Sequence, residues 1–194
     1  MEEIRSFVAI ELPDDIKSKL GKLIAQLKAR NSGVKWVDAN NIHLTLNFLG
    51  NVASDKIDEV TKAMEESARE IPPFQIEVKE LGAFPNLRRV QVVWVGMQDE
   101  LEPLGKLKQN LDFNLELIGF TPESRPFSPH LTLGRVRNEA SFEERQKLGE
   151  LISNTQFEGG SFKVEAVSLM KSQLTRQGSI YTRMSLTKLI NPKY

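Results

Sequence analysis

The sequence has no cysteine, and only two histidines, two tyrosines and two tryptophans among its 194 residues. Without cysteine, disulfide frameworks, thiolate zinc sites, iron–sulfur clusters and cysteine nucleophiles are excluded. A reduced, cytoplasmic setting is the simplest fit. Neither sign of charge is in excess, since 26 Lys+Arg face 26 Asp+Glu. A protein that grips long duplex nucleic acid usually carries surplus cations, so any nucleic-acid contact is expected to be short and local. Long apolar runs are missing too. Nothing approaches the roughly 20 residues of a membrane span. The opening MEEIRSFVAIELPDD has acids where a secretory leader needs a basic start, so no leader is expected. At 40% hydrophobic and 27% charged, the chain is neither a disordered tail nor a coiled coil. Its length suits one domain, or two small lobes sharing an interface.

Short β-rich runs alternate with helical patterns. Strands are expected at 5–12, 42–49, 74–81, 90–97, 130–136, 161–170 and 180–189. After Pro13, apolar residues Ile16, Leu20, Leu23, Ile24 and Leu27 recur at helical spacing, and Asn31-Ser32-Gly33 ends that helix. Further helices are expected from Ser54 as N-cap to about Arg69, from about Asp99 to Leu115, and after the capping-box pattern Ser141-x-x-Glu144.

The chain also contains itself twice. His43-Leu44-Thr45-Leu46 recurs as His130-Leu131-Thr132-Leu133. Ala53-Ser54 and Ala140-Ser141 follow at the same distance, and Phe74-x-Ile76-Glu77 and Phe162-x-Val164-Glu165 at nearly the same one. A duplicated β-α-β-α-β unit accounts for this order. The expected fold is α+β and bilobed, with repeats at about 1–86 and 87–194, antiparallel sheets facing a central cleft and an approximate two-fold axis.

Both histidines of the chain lie in this repeated tetrapeptide. A lone histidine is most often structural, but a structural role gives no reason to fill the same slot twice. On a strand, His43 and Thr45 point one way while Leu44 and Leu46 point the other, and the same holds for His130 and Thr132. A two-fold relation would set the imidazoles on opposite sides of one bound group. Two such rings suit concerted acid–base catalysis, one accepting a proton from water while the other donates to the leaving oxygen. Hydroxyls of Thr45 and Thr132 and a nearby arginine could hold the non-bridging oxygens of a phosphate. A zinc centre is disfavoured, because a catalytic site usually needs three protein ligands and neither motif holds a carboxylate. No nucleophile-elbow pattern supports a Ser-His-Asp site.

These residues resemble the 2H phosphoesterase superfamily, defined by two His-x-Thr-x motifs, and within it the RNA 2′,3′-cyclic phosphodiesterase family, historically called 2′-5′ RNA ligase. The resemblance runs nearly end to end: Arg5-Ser6-Phe7-Val8-Ala9-Ile10, Trp36-Val37, Ile42 to Gly50, Arg125 to Arg135, then Ser172-x-Leu174, Gly178 and Tyr181. It implies hydrolysis of a 2′,3′-cyclic phosphate at an RNA 3′ end to a 2′-phosphate, and a reverse activity that joins ends through a 2′-5′ linkage. It implies no metal or nucleotide cofactor, and as partner an RNA with a cyclic phosphate terminus, tRNA-derived ends among the candidates. His43 and His130 become the catalytic pair, in undecided order of acid and base.

The family pattern extends to Arg135. In a regular strand its odd offset from His130 would put it on the wrong face, unless Gly134 supplies a bulge. Phe7, Phe48, Tyr181 and Asn47 are candidates for contact with the base, since single-stranded RNA is commonly held by stacking. Arg125, Arg137, Lys171, Arg176 and Arg183 could form a local basic rim. Small size and neutral charge point to a monomer. The rival readings are the same chemistry on a small cyclic nucleotide or a 2′-5′ oligoadenylate, and an RNA-end-binding module without turnover.

Overall fold

The computed structural model describes residues 2–31 and 33–191, so Ser32 of the expected helix stop lies outside the described residues. In chain order the elements are β1 (Glu3–Glu11), α1 (Asp14–Lys28), β2 (Val34–Trp36), β3 (His43–Ala53), α2 (Ile57–Ala68), β4 (Phe74–Phe84), β5 (Val92–Asp99), α3 (Leu101–Leu117), β6 (His130–Val136), α4 (Phe142–Ser153), β7 (Glu158–Val164), β8 (Ala166–Thr175) and β9 (Gly178–Lys188).

The strands form two antiparallel sheets, ordered β3-β1-β8-β9 and β2-β6-β5-β4-β7. The α+β, two-sheet expectation holds. The sheets share one pattern: β3-β1 pairs as β6-β5 does, β8 and β9 of the second half extend the first pair, and β4 of the first half followed by β7 of the second extends the other, with β2 added at its β6 edge. Each sheet is therefore shared between the halves. The motif strands β3 and β6 lie against each other where the sheets meet. One short segment ties them: β2 pairs with β6, the Val37 amide donates to the Leu133 carbonyl (2.8 Å), and the chain then turns directly into β3.

Alternation decides what each sheet buries. Leu44, Leu46, Leu131 and Leu133 are buried in the core with Ile16, Leu20, Leu23 and Leu27 of α1 and Leu104, Leu107 and Leu111 of α3. His43, Thr45, His130 and Thr132 keep partial access to solvent on the other face.

Several boundaries differ from the sequence reading for identifiable reasons. Ser54 does not cap a helix through its side chain; it opens a 3-10 turn, Ser54–Lys56, that leads into α2. The helix expected from Asp99 begins at Leu101, with Pro103 in its first turn, where a missing amide costs nothing. The strand expected at 161–170 is broken at Glu165, where the chain leaves one sheet for the other. Only three residues long, β2 falls below what periodicity can detect. The capping box at Ser141 forms as expected, with the Ser141 hydroxyl accepting from the Glu144 amide and the Glu144 carboxylate accepting from the Ser141 amide.

Candidate active site

Each motif strand carries a bulge at the same place. In β3, Thr45 lies opposite Ala9 and Asn47 opposite Val8, so Leu46 is the extra residue. In β6, Thr132 lies opposite Trp94 and Gly134 opposite Val93, so Leu133 is extra. A bulge advances the alternation by one position. Arg135, opposite Val92, therefore returns to the face of His130 and Thr132. The expected bulge is real, but the extra residue is Leu133 rather than Gly134. By the same step Phe48, opposite Phe7, returns to the face of His43 and Thr45. Phe48 and Arg135 are thus equivalent positions, one aromatic and one cationic. Phe48 is 65% exposed.

The imidazoles are held alike. His43 Nδ1 lies 2.8 Å from the Asn41 carbonyl oxygen, and His130 Nδ1 lies 2.7 Å from that of Ser128. A carbonyl can only accept, so Nδ1 carries the proton in each ring and Nε2 is left to exchange protons. Both rings are anchored by the carbonyl of the residue two before them, just ahead of the strand.

Their surroundings differ. Phe7 stacks on His43 with centroids 4.6 Å apart, and Tyr181 meets it edge-on at 5.1 Å. His130 is met edge-on by Phe84 at 4.9 Å, and Phe84 in turn contacts Trp94 at 5.3 Å. That indole lies flat across the sheet, over the backbone of Gly82, where a Cβ would come within 2.2 Å of the ring. Burial beneath the aromatic rings lowers the His43 pKa from its ordinary 6.5, against a smaller opposing pull from its bond to Asn41 and from Glu11. The neutral ring is then favoured in the folded state. Stability from this source is complete above pH 6.5 and is lost as pH falls below it, because the unfolded chain takes up the proton more readily. The urea midpoint is expected to drop between about pH 7.5 and about pH 5.5, by less in His43→Gln than in the unaltered protein.

A polar bridge supports both motifs from the helical side. Asp112 of α3 accepts from Lys108 Nζ and, at 2.6 Å, from Asn47 Nδ2. Lys108 is buried and lies 5.7 Å from the centroid of Phe127, three residues before His130. One ion pair thus touches the bulge of the first motif and the approach to the second.

A model of the family described as LigT-like phosphoesterase matches the chain twice, at residues 10–94 and 95–181. A protein of Methanothermobacter thermautotrophicus named RNA 2′,3′-cyclic phosphodiesterase is 37% identical over 188 residues, covering 96% of this chain and 100% of its own length. The chain belongs to the LigT-like phosphoesterase family. Among solved structures, a protein of Thermus thermophilus superposes with a TM-score of 0.81 at 25% identity, over 98% of this chain and 100% of that one. Escherichia coli LigT in complex with 3′-AMP gives 0.75 at 28%, over 97% and 99%.

Within this LigT-like chain, the residues proposed for base contact separate. Phe48 stays on the face of His43 and Thr45, and Tyr181 is partly accessible beside His43. Phe7 is 4% exposed, and its stacked face is spent on the imidazole, which corrects its expected role. Asn47 is a second correction: the bulge turns it to the helical side, where it bonds Asp112 and is 8% exposed. The expected basic rim also breaks up. Arg183 is paired with Glu11 and Lys171 with Glu2, Arg176 stands at the turn between β8 and β9, and Arg125 lies in the loop before β6. Asp112, Lys108, Phe84 and Trp94 have no signal in the sequence beyond ordinary helix and strand positions. Among the described residues, no group of three or more His, Cys, Asp or Glu side chains is placed to hold a metal ion. No helix among them is long and apolar enough to cross a membrane.

Proposed function

We propose that this phosphoesterase hydrolyses the 2′,3′-cyclic phosphate at an RNA 3′ end to a 2′-phosphate, using His43 and His130 as a metal-independent acid–base pair. The observation that carries this reading is the matched anchoring of the two rings, each fixed at Nδ1 and free at Nε2, on strands that meet. Water attacks phosphorus and gives its proton to one Nε2. The P–O3′ bond breaks, and the other Nε2 delivers its proton to O3′. Thr45, Thr132 and Arg135 share the face of the two rings and would hold the non-bridging oxygens. With a 5′-hydroxyl in place of water, the same step joins two strands through a 2′-5′ linkage. Phe48 and Tyr181 offer the terminal base an aromatic wall. Relatives named for this activity, at 37% and 34% identity, support the substrate class. The matched motifs also support a duplicated unit, with repeats at about 1–86 and 87–194. The absence of cysteine fits action in a reduced cytoplasm, and the chain's size fits a monomer.

The test is a defined oligonucleotide ending in a 2′,3′-cyclic phosphate, incubated with excess EDTA. Undiminished formation of the 2′-phosphate isomer is expected; abolition by the chelator would overturn metal independence, and a 3′-phosphate product would overturn the bond assignment. Arg135→Ala is expected to slow kcat/KM for this substrate at least tenfold, by roughly the 1.5–3 kcal/mol of a charged hydrogen bond. Wild-type kinetics in that variant would remove Arg135 from the site.

A further inference from the structure

We infer that the rim of the second sheet beyond Arg135 is a track for the backbone phosphates of the RNA body, with Lys35, Arg89 and Arg137 as its cations. This rests on the proposed action at RNA ends and names the part of the substrate that the catalytic residues do not reach.

Backbone pairing sets Lys35 beside Arg135, and backbone contacts bring the chain at Arg137 and Arg89 to the same end of the sheet. Lys35 lies directly opposite Arg135, so both stand on the face that carries His130 and Thr132. Val34 is buried on the opposite face, consistent with that alternation. Beyond Arg135, the Arg137 amide donates to the Gly33 carbonyl (2.9 Å), which prolongs the contact with the β2 side. The turn between β4 and β5 closes on the same edge: the Val136 amide donates to the Gln91 carbonyl at 2.9 Å. Arg145 fixes it there, its guanidinium donating to the carbonyls of Val90 (2.8 Å) and Arg137 (3.1 Å). The backbone of Arg89, next to Val90, therefore lies close to that of Arg137.

The charge of this rim is unbalanced in a chain whose total is zero. Segments 33–37, 85–92 and 130–140 contain Lys35, Arg88, Arg89, Arg135 and Arg137 against a single acid, Glu139. Arg88 faces α4, lining a shallow cavity with Gln146 and Glu150, and is left out of the track. Lys35, Arg89 and Arg137 are exposed. Among the described residues none of the three, nor Arg135, joins an ion pair, whereas Arg183 and Lys171 of the first sheet are matched to Glu11 and Glu2. Exposed cations without acids are the ordinary means of gathering phosphates. A strand from His130 to Arg137 extends about 20 Å, several nucleotides of backbone. A cyclic phosphate is by nature the 3′ terminus, so only the 5′ body of the strand remains to occupy such a track.

The experiment compares the unaltered protein with the triple variant Lys35→Gln/Arg89→Gln/Arg137→Gln on two substrates, a 2′,3′-cyclic mononucleotide and a hexanucleotide with a cyclic phosphate end. Fluorescence anisotropy with a 2′-phosphate-ended hexanucleotide runs alongside. The variant is expected to bind the hexanucleotide roughly tenfold more weakly at about 50 mM salt, and to lose about 2 from the slope of log affinity against log salt. Its kcat/KM should fall about as far on the hexanucleotide and stay unchanged on the mononucleotide. Equal binding of the hexanucleotide by both proteins, or an equal fall on both substrates, overturns the track. If the unaltered protein turns over neither substrate, the cyclic-phosphate reading fails, and the anisotropy still decides whether these cations hold RNA.

Discussion

Replacing either His43 or His130 by alanine is expected to lower kcat on a cyclic-phosphate-ended RNA by roughly 10²–10⁴, with little change in KM. In the proposed mechanism each ring supplies one of two proton transfers in a single displacement. On that mechanism, losing one would leave water to do its work, while Thr45, Thr132 and Arg135 would still bind the phosphate. The variants differ in stability. His43 lies against Phe7 and Tyr181, so its removal opens a gap in that aromatic group. Among the described residues, the one aromatic ring against His130 is Phe84, at its edge. His130→Ala is therefore the cleaner catalytic test, and the more stable of the two. A rate within about threefold of the unaltered protein in either variant would contradict acid–base pairing. Unchanged RNA binding with no measurable turnover in the unaltered protein would instead support the binding-module reading.

The second large effect is structural. Asp112→Ala is expected to cost about 3 kcal/mol, the lower part of the range for breaking a buried ion pair, because Asp112 keeps some contact with water. For a chain of this length that is a fall in Tm of roughly 9 °C. The loss comes mainly from Lys108, left buried without its anion, and secondarily from Asn47, whose amide loses its acceptor while its own oxygen is already unpartnered. Pairing Asp112→Leu with Lys108→Met removes the stranded charge along with its partner and should recover most of the stability. Thermal denaturation of the three proteins decides the matter. If the double variant is as unstable as Asp112→Ala, the ion pair is not the source.

The repeated tetrapeptide makes the candidate pair of histidines legible without any coordinates. Periodicity alone places Leu44, Leu46, Leu131 and Leu133 inward, and the sheets bear this out. What the sequence hides is register. A bulge leaves no residue signature of its own, so the turn that faces Asn47 away and brings Phe48 and Arg135 forward is visible only in the pairing with β1 and β5. Phe7 is misread from sequence because a strand phenylalanine beside a histidine looks the same whether it meets a base or the imidazole. The Lys108–Asp112 pair is invisible for a related reason: an (i, i+4) pair usually lies on a solvated helix face, and only tertiary packing buries this one against Asn47 and Phe127. Exchange of strands between the halves also escapes the sequence, since similar motifs give no sign of which sheet each strand joins.

The central claim is that two imidazoles serve one phosphate. Its most direct test is a long-range ¹⁵N imidazole spectrum of the protein titrated with a nucleoside 2′-phosphate. The Nε2 signals of His43 and His130 should move together along a single binding curve with one ligand per chain. A response from one ring alone, or two curves with different midpoints, would contradict it.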